Sequence, residues 1–342
     1  MRTEILPIDS PQTLRLATAT AAERLAAGEL VALPTETVYG LAADATRPDA
    51  VRRIFEVKGR PSHNPLITHV SDLPMARRCV SHWPEAADRL AAQFWPGPLT
   101  LVMARSSWIP DEVAAGGPTV GVRLPAHPVM RETIALCGFP LAAPSANLSN
   151  QLSPTTAQHV LEGLGGRIPL ILDGGPCAVG IESTVVDLTT TPPRVLRPGM
   201  VSQQAVDFAL GLDSRTRPFQ AGPPAPEASP LRSPGQLSRH YSPKARLEVW
   251  SSANRQRLAE RLRRLDIPLA HVHCLCHDAL PEISGLGRVC LIPADPEAYA
   301  RAFYAELHAC DLLGARLIIL EALPDGSEWD AIRDRVARAA TP

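Results

Sequence analysis

The chain is 342 residues long and 45% apolar, with 34 Lys plus Arg set against 35 Asp plus Glu; it can bury a full core, is long enough for two domains, and is not a protein whose main task is to coat nucleic acid. No apolar run approaches the roughly 20 residues of a membrane span, and Met1 to Leu6 lacks the apolar stretch and cleavage site of a signal peptide, so a cytoplasmic protein without membrane contact is expected. Cysteines are scattered and odd in number, seven in all, which fits reduced thiols better than a disulfide framework.

In chain order, hydrophobic periodicity predicts a helix over Gln12 to Ala27, a strand at Leu30 to Leu33, a helix at Pro48 to Lys58, a strand at Leu66 to Val70 and a helix at Pro84 to Phe94. Further strands are expected at Leu99 to Met103, Thr119 to Val122, Leu141 to Ala143, Leu170 to Asp173, Thr184 to Leu188 and Arg194 to Leu196, with helices at Pro128 to Leu136 and Thr155 to Leu164. The alternation describes an α/β catalytic domain over residues 1–212, its sheet mixed because several connections are short. Ser153-Pro154 reads as an N-cap followed by proline at the first helical position, which would leave free backbone N–H groups for an anion.

Residues 213–244 read as a linker, because Pro218, Pro223, Pro224, Pro226, Pro230 and Pro234 between Arg217 and Gln236 forbid a regular helix or ladder. Over 245–342, strands Leu247 to Trp250, Leu269 to Cys274, Val289 to Ile292 and Leu317 to Glu321 alternate with helices Asn254 to Leu265, Pro296 to Leu312 and Trp329 to Ala340, a small doubly wound, Rossmann-like domain. It carries neither a Gly-x-Gly-x-x-Gly turn nor a Walker lysine loop. Within His271-Val272-His273-Cys274-Leu275-Cys276-His277, strand geometry sends the first two histidines to one face and the two thiols to the other, which favours buried thiols and edge histidines over zinc.

Polar residues gather at the predicted strand ends: Pro34-Thr35-Glu36-Thr37-Val38-Tyr39-Gly40, Lys58-Gly59-Arg60-Pro61, Asn64 to His69, Gly121 to Pro125 and Pro144-Ser145-Ala146-Asn147. Strand ends in α/β domains face a crevice, so these segments are expected to line one. The only lysines are Lys58 and Lys244; a lysine beside Gly59-Arg60 in so arginine-rich a chain points to a need for a compact ammonium. Pro61 to Pro65 cannot continue the helix, so Lys58 and Arg60 are expected on a displayed turn. With Arg123 and Arg197, each followed within two residues by proline, four cations converge on a polyanion, most simply a nucleoside triphosphate with its metal. Taken singly, Ser145, Asn147, Ser183, Thr184, Thr35, Thr37 and Tyr39 are ordinary turn or strand residues; together they describe a site.

Lys58, Arg60, Ser145 and Asn147 form a Lys-x-Arg with Ser-x-Asn set, and with Asp173-Gly174-Gly175 and Leu196-Arg197-Pro198-Gly199 the chain resembles the YrdC-domain family in its long two-domain form. The resemblance spans nearly the whole chain, including Ser233-Pro234-Gly235 and His240-Tyr241-Ser242-Pro243 in the linker. It implies a twisted mixed-sheet catalytic domain and a nucleotidyltransferase that condenses L-threonine, bicarbonate and ATP into threonylcarbamoyl-adenylate with release of pyrophosphate. Lys58, Arg60, Ser145 and Asn147 would be catalytic. Asn64, Thr119, Ser153 and Arg197 would complete the ATP pocket, with Mg2+ accompanying the nucleotide and Tyr241 closing the site as a lid. Thr35, His69, Arg123, Ala143 and Ser183 would hold threonine. The product would pass to a separate tRNA threonylcarbamoyl transferase complex, with at most a weak tRNA contact of its own. Gln236 departs from the family pattern, where an apolar residue is usual.

The competing reading is an RNA-binding module of the same fold without ATP turnover. It predicts salt-sensitive RNA affinity, and it is opposed by cations that sit singly among hydroxyls and prolines with few aromatics to stack bases.

Overall fold

In the computed structural model, which describes residues 2–213, 233–234, 241–251, 255–278, 281 and 283–340, the first unit runs β1 (Glu4–Pro7), α1 (Pro11–Ala26), β2 (Val31–Leu33), β3 (Gly40–Asp44), α2 (Pro48–Lys58), β4 (Ile67–His69), α3 (Leu73–Arg78), α4 (Glu85–Phe94), β5 (Leu99–Ala104), β6 (Thr119–Arg123), α5 (Pro128–Cys137), β7 (Leu141–Ala142), α6 (Ala157–Leu164), β8 (Leu170–Asp173), β9 (Thr184–Asp187), β10 (Arg194–Arg197) and α7 (Gln203–Leu210). The second unit continues with β11 (Arg246–Trp250), α8 (Arg255–Arg264), β12 (Val272–Cys276), β13 (Arg288–Leu291), α9 (Pro296–Leu312), β14 (Leu317–Glu321) and α10 (Asp330–Ala339). The units divide after residue 237, with 150–152 belonging to the second. The proline-rich stretch expected over 217–236 lies outside the described residues, except for Ser233 and Pro234.

Punctuation sets α2. Pro48 occupies the first turn, where its missing N–H costs nothing, and Gly59 ends the helix at φ 60, ψ 35, a left-handed cap that favours glycine. The buried residues of the helix are Ala50, Val51, Ile54 and Lys58. Since 50, 54 and 58 follow one another at four-residue spacing, the lysine belongs to the core-facing stripe.

Ten strands form the sheet of the first unit, in the order β1-β8-β2-β3-β7-β4-β6-β5-β9-β10. Parallel and antiparallel pairs mix, as short connections between strands require. In β4 and β6, which are parallel, Ile67 pairs with Gly121 and His69 with Arg123. Gly121 pairs with Val102 of β5, Thr100 of β5 with Val185 of β9, and Val185 with Arg197 of β10. Because side chains alternate along a strand and partners in register share a face, His69, Thr119, Arg123, Thr100 and Arg197 all lie on one face. The site is therefore spread over a sheet face rather than along one strand-end edge; Thr119 opens β6 and Arg123 closes it.

Four parallel strands make the second sheet, in the order β11-β14-β12-β13. One face buries Val272, Cys274, Cys276, Leu317 and Ile319 with Leu258 and Leu262 of α8. Leu269 to His271 form a 3-10 turn after Pro268, so β12 starts at Val272, later than the apolar run suggests. His271 is exposed, its Nδ1 3.0 Å from the Gly314 carbonyl, but His273 is buried rather than at an edge.

The expected cap at Ser153 is also displaced. Helix α6 starts after Thr156, whose hydroxyl accepts the His159 N–H at 3.2 Å. A threonine hydroxyl three residues ahead of that amide is an equally good cap, and Ser153 is released for another bond.

Candidate active site

Lys58 and the turn at Pro144 to Asn147 form one unit. The Lys58 ammonium donates to the Ser145 carbonyl at 2.5 Å and to the Asn147 carbonyl, while the Ser149 amide donates back to the Lys58 carbonyl at 2.8 Å. Asn147 steadies the turn by donating from Nδ2 to the Leu148 carbonyl at 2.8 Å. Burial, and then the nearby Arg60 cation, push the Lys58 amine well below the ordinary lysine range. Arg60 is seated on the next turn: Nε donates to the Asn64 carbonyl at 3.0 Å, and Nη2 to the Asn64 side-chain oxygen at 2.6 Å and the Pro65 carbonyl at 2.8 Å. This leaves the Asn64 Nδ2 buried with no acceptor among the described residues.

A second cluster surrounds Arg123. Its Nη1 donates to the Thr37 hydroxyl at 3.0 Å and its Nε to the Gly97 carbonyl at 3.2 Å, and Nη2 lies 2.7 Å from the Glu36 carboxylate. The Thr35 hydroxyl organises the same loop, donating to the Val38 carbonyl at 2.7 Å and accepting the amides of Thr37 and Val38, a hydroxyl-stabilised turn. His69 is buried beside Arg123; burial and then that cation push its imidazole down to about 3, so the ring is neutral. Its Nδ1 has no hydrogen-bond partner among the described residues. The Ala143 amide donates to the Ile67 carbonyl at 3.1 Å, which fixes that backbone one strand away from Arg123.

Arg197 and Ser183 tie the residues assigned to the nucleotide to those assigned to threonine. Arg197 Nη2 donates to the Ser183 hydroxyl at 3.1 Å and to its carbonyl at 2.9 Å, and the same hydroxyl lies 2.8 Å from Thr100 Oγ1. Nη1 of Arg197 is 3.5 Å from the Pro234 carbonyl. Ser153 is joined to this group through the neighbour of Ser183, donating to Glu182 Oε1 at 2.5 Å. Gly199 permits the crossing: a Cβ there would sit 2.3 Å from the Thr184 nitrogen and 2.7 Å from the Ser183 carbonyl carbon. Gly174 likewise admits the Pro34 ring, 2.8 Å from where its Cβ would be.

The cations are not displayed. Lys58 is 2% exposed, Arg60 8%, Arg123 3% and Arg197 3%. Thr119, half-buried, shares the sheet face of Arg123 and Arg197. Tyr241, expected as a lid, is fully buried at φ 64 in the second unit, its ring 5.9 Å from that of Tyr304 and 5.4 Å from the Arg335 guanidinium. Two acids were overlooked in the sequence, Glu36 and Glu182. Both are buried and each stands next to a hydroxyl residue of the site, Thr35 and Ser183; an acid inside a run of hydroxyl residues was the available signal.

Four buried cations, Lys58, Arg60, Arg123 and Arg197, set among hydroxyls and unpaired amide and imidazole nitrogens mark the site of an α/β enzyme that handles anions. Residues 23–199 match the family model described as Telomere recombination, the Sua5/YciO/YrdC domain, and residues 201–341 match the model described as Threonylcarbamoyl-AMP synthase, C-terminal domain. The threonylcarbamoyl-AMP synthase of Pyrococcus abyssi is 38% identical over 92% of this chain and 91% of its own, and that of Bacillus subtilis is 37% identical over 99% and 95%. A solved structure of P. abyssi Sua5 complexed with L-threonine aligns with a TM-score of 0.87 at 34% identity, covering 99% of this chain and 98% of that one. The chain belongs to the threonylcarbamoyl-AMP synthase family, in its two-domain form.

Proposed function

We infer that the chain condenses L-threonine, bicarbonate and ATP into L-threonylcarbamoyl-adenylate and pyrophosphate, an adenylyl transfer. The observation that carries this reading is the bond from Arg197 to Ser183, which couples the residues suited to a polyphosphate to those suited to an amino acid. The reaction asks for such a junction. Threonine carbamate is a weak oxygen nucleophile that must meet the α-phosphorus in line, so positioning and neutralisation of charge on the departing pyrophosphate matter more than a strong base.

Lys58, Arg60 and Arg197 supply positive charge for the phosphates, and the Asn64 Nδ2 is a donor awaiting an acceptor. Ser145, Asn147, Thr119 and Ser153 complete the nucleotide pocket in this reading. Arg123 suits the threonine carboxylate, with Thr35, His69, Ala143 and Ser183 around it. We assign Mg2+ to the nucleotide, taken up as its magnesium complex.

Burial of all four cations also disfavours the RNA-binding alternative, since a buried guanidinium cannot track a phosphate backbone. No described helix is long and apolar enough to cross a membrane. The seven cysteines form no disulfide; in this reading the protein works in the cytoplasm, and the labile mixed anhydride would pass there to a tRNA threonylcarbamoyl transferase complex.

The test is pyrophosphate release by the purified protein with ATP and magnesium. Release that requires both L-threonine and bicarbonate supports the reading; release that ignores either one, or none at all, rejects it.

A further inference from the structure

The carboxylate of Glu36 has no role in the reading above, yet it sits at the centre of the amino-acid cluster. It is buried between Thr35 and Thr37 and lies 2.7 Å from Arg123 Nη2. The approach is off the line of a hydrogen bond: neither Glu36 oxygen, nor Arg123 Nη2, has a hydrogen-bond partner among the described residues. Buried polar atoms in native proteins are almost always hydrogen-bonded, and exceptions call for an explanation. Burial acts to raise the Glu36 carboxyl, but the Arg123 cation beside it more than offsets this and leaves it below the ordinary range. The other ionisable groups that face it are His69, His127 and Cys177; burial pushes both imidazoles down and the thiol up, so all three are neutral near pH 7. Glu36 and Arg123 are thus a buried anion and a buried cation side by side, each with hydrogen-bonding capacity left over.

That is the mirror image of an amino-acid zwitterion. We propose that Glu36 is a specificity-determining residue that receives the α-ammonium of the amino-acid substrate while Arg123 receives its carboxylate, the internal ion pair standing in for the zwitterion in its absence. The proposal rests on the reading that the site binds L-threonine and adds which group recognises the amine. Both new contacts are charge-assisted hydrogen bonds, the stronger kind. An acid carrying a hydroxyl in place of the amine brings no positive charge and leaves Glu36 unpaired, which is the situation in which a site rejects an analogue most strongly.

The same placement gives the reaction a direction. In R–NH3+ + HCO3− → R–NH–COO− + H2O + H+, the nitrogen gains a bond to carbon, water departs and the proton goes to solvent. The cation that Glu36 holds becomes an anion that it repels. Glu36 therefore favours the substrate before carbamoylation and releases the nitrogen after it, so its loss raises KM for threonine more than it lowers kcat.

The experiment compares binding of L-threonine and of its 2-hydroxy analogue, 2,3-dihydroxybutanoate of matching configuration, to the full chain and to Glu36→Gln by titration calorimetry. Wild-type protein should prefer threonine by at least about tenfold, and in Glu36→Gln that preference should fall to within about threefold. Glu36→Asp, which keeps the charge on a shorter arm, should restore part of it, and ATP binding by each variant reports that the fold is intact. If Glu36→Gln weakens both acids equally, the residue only braces Arg123 and the proposal is wrong. It is equally wrong if Glu36→Gln does not fold and Glu36→Asp, folded, shows no preference for the amine. Wild-type protein that binds neither acid would instead overturn the threonine-site reading, and the proposal with it.

Discussion

The ammonium of Lys58 ends on the backbone carbonyl of Asn147, 89 residues further along the chain. The lysine of one motif and the asparagine of the other are thus two sides of a single contact, made by main chain on one side and side chain on the other. Replacing Lys58 with methionine keeps the length of the arm and removes the ammonium from both carbonyls. Pyrophosphate release should fall by about 10²–10³-fold, with a stability loss of about 1–3 kcal/mol in urea. Lys58→Arg should not rescue the rate, because a planar fork cannot take the place of a tetrahedral ammonium between two carbonyls; near-wild-type turnover by either variant would remove the lysine from the chemistry.

His69 gives the fold a pH dependence of known sign. Its folded value of about 3 lies below the ordinary histidine value of 6.5, so between the two the unfolded chain binds the additional proton and stability falls as the pH falls. At pH 5 the loss from this residue is about 2 kcal/mol relative to neutral pH. Urea midpoints of His69→Gln at pH 7 and pH 5 should differ less than those of the wild type; an unchanged difference would mean that His69 titrates normally in the folded protein.

Gly199→Ala should disturb the junction without removing a polar group. The added methyl would overlap the Thr184 amide and the Ser183 carbonyl carbon, so the strand start must move and carry the Ser183 hydroxyl away from Arg197. A stability cost of about 1–3 kcal/mol should come with a higher KM for threonine, both read on the same sample. Unaltered steady-state constants would show that the crossing is not needed for substrate positioning.

Tyr241 separates packing from nucleotide contact. Tyr241→Ala removes a fully buried ring from its place against Tyr304 and Arg335 and should destabilise the second unit by about 3–5 kcal/mol. Tyr241→Phe keeps the ring. If the hydroxyl meets ATP during turnover, as the family resemblance implies, Tyr241→Phe raises KM for ATP at unchanged stability; if it does not, the variant turns over like the wild type.

Helices with punctuation at both ends were legible in the sequence. Helix α2, between Pro48 and Gly59, and α9, opened by Asp295 and Pro296, fall where the pattern places them. Strand β3, Gly-Leu-Ala-Ala-Asp, was not, because it has neither alternation nor β-branched residues and is a strand only through its partners β2 and β7. The cluster of site residues was legible from their types, whereas their burial was not: Lys58 was read as the displayed end of a helix although Ala50 and Ile54 mark its own stripe as the buried one. Glu36 offered only the signal of an acid inside a run of hydroxyl residues, because its meaning depends on Arg123, which the fold brings to it.

Lys58, Arg60 and Arg197 share a way of being held: each rests on main-chain carbonyl oxygens, of Ser145 and Asn147, of Asn64 and Pro65, and of Ser183. A carbonyl orients a cation without cancelling its charge, and it neither takes up nor gives off a proton. The positive charge of the site is consequently written into the path of the backbone. Acidifying the solution does not change these seats, and substituting the side chain of a residue that supplies one of the carbonyls does not remove it.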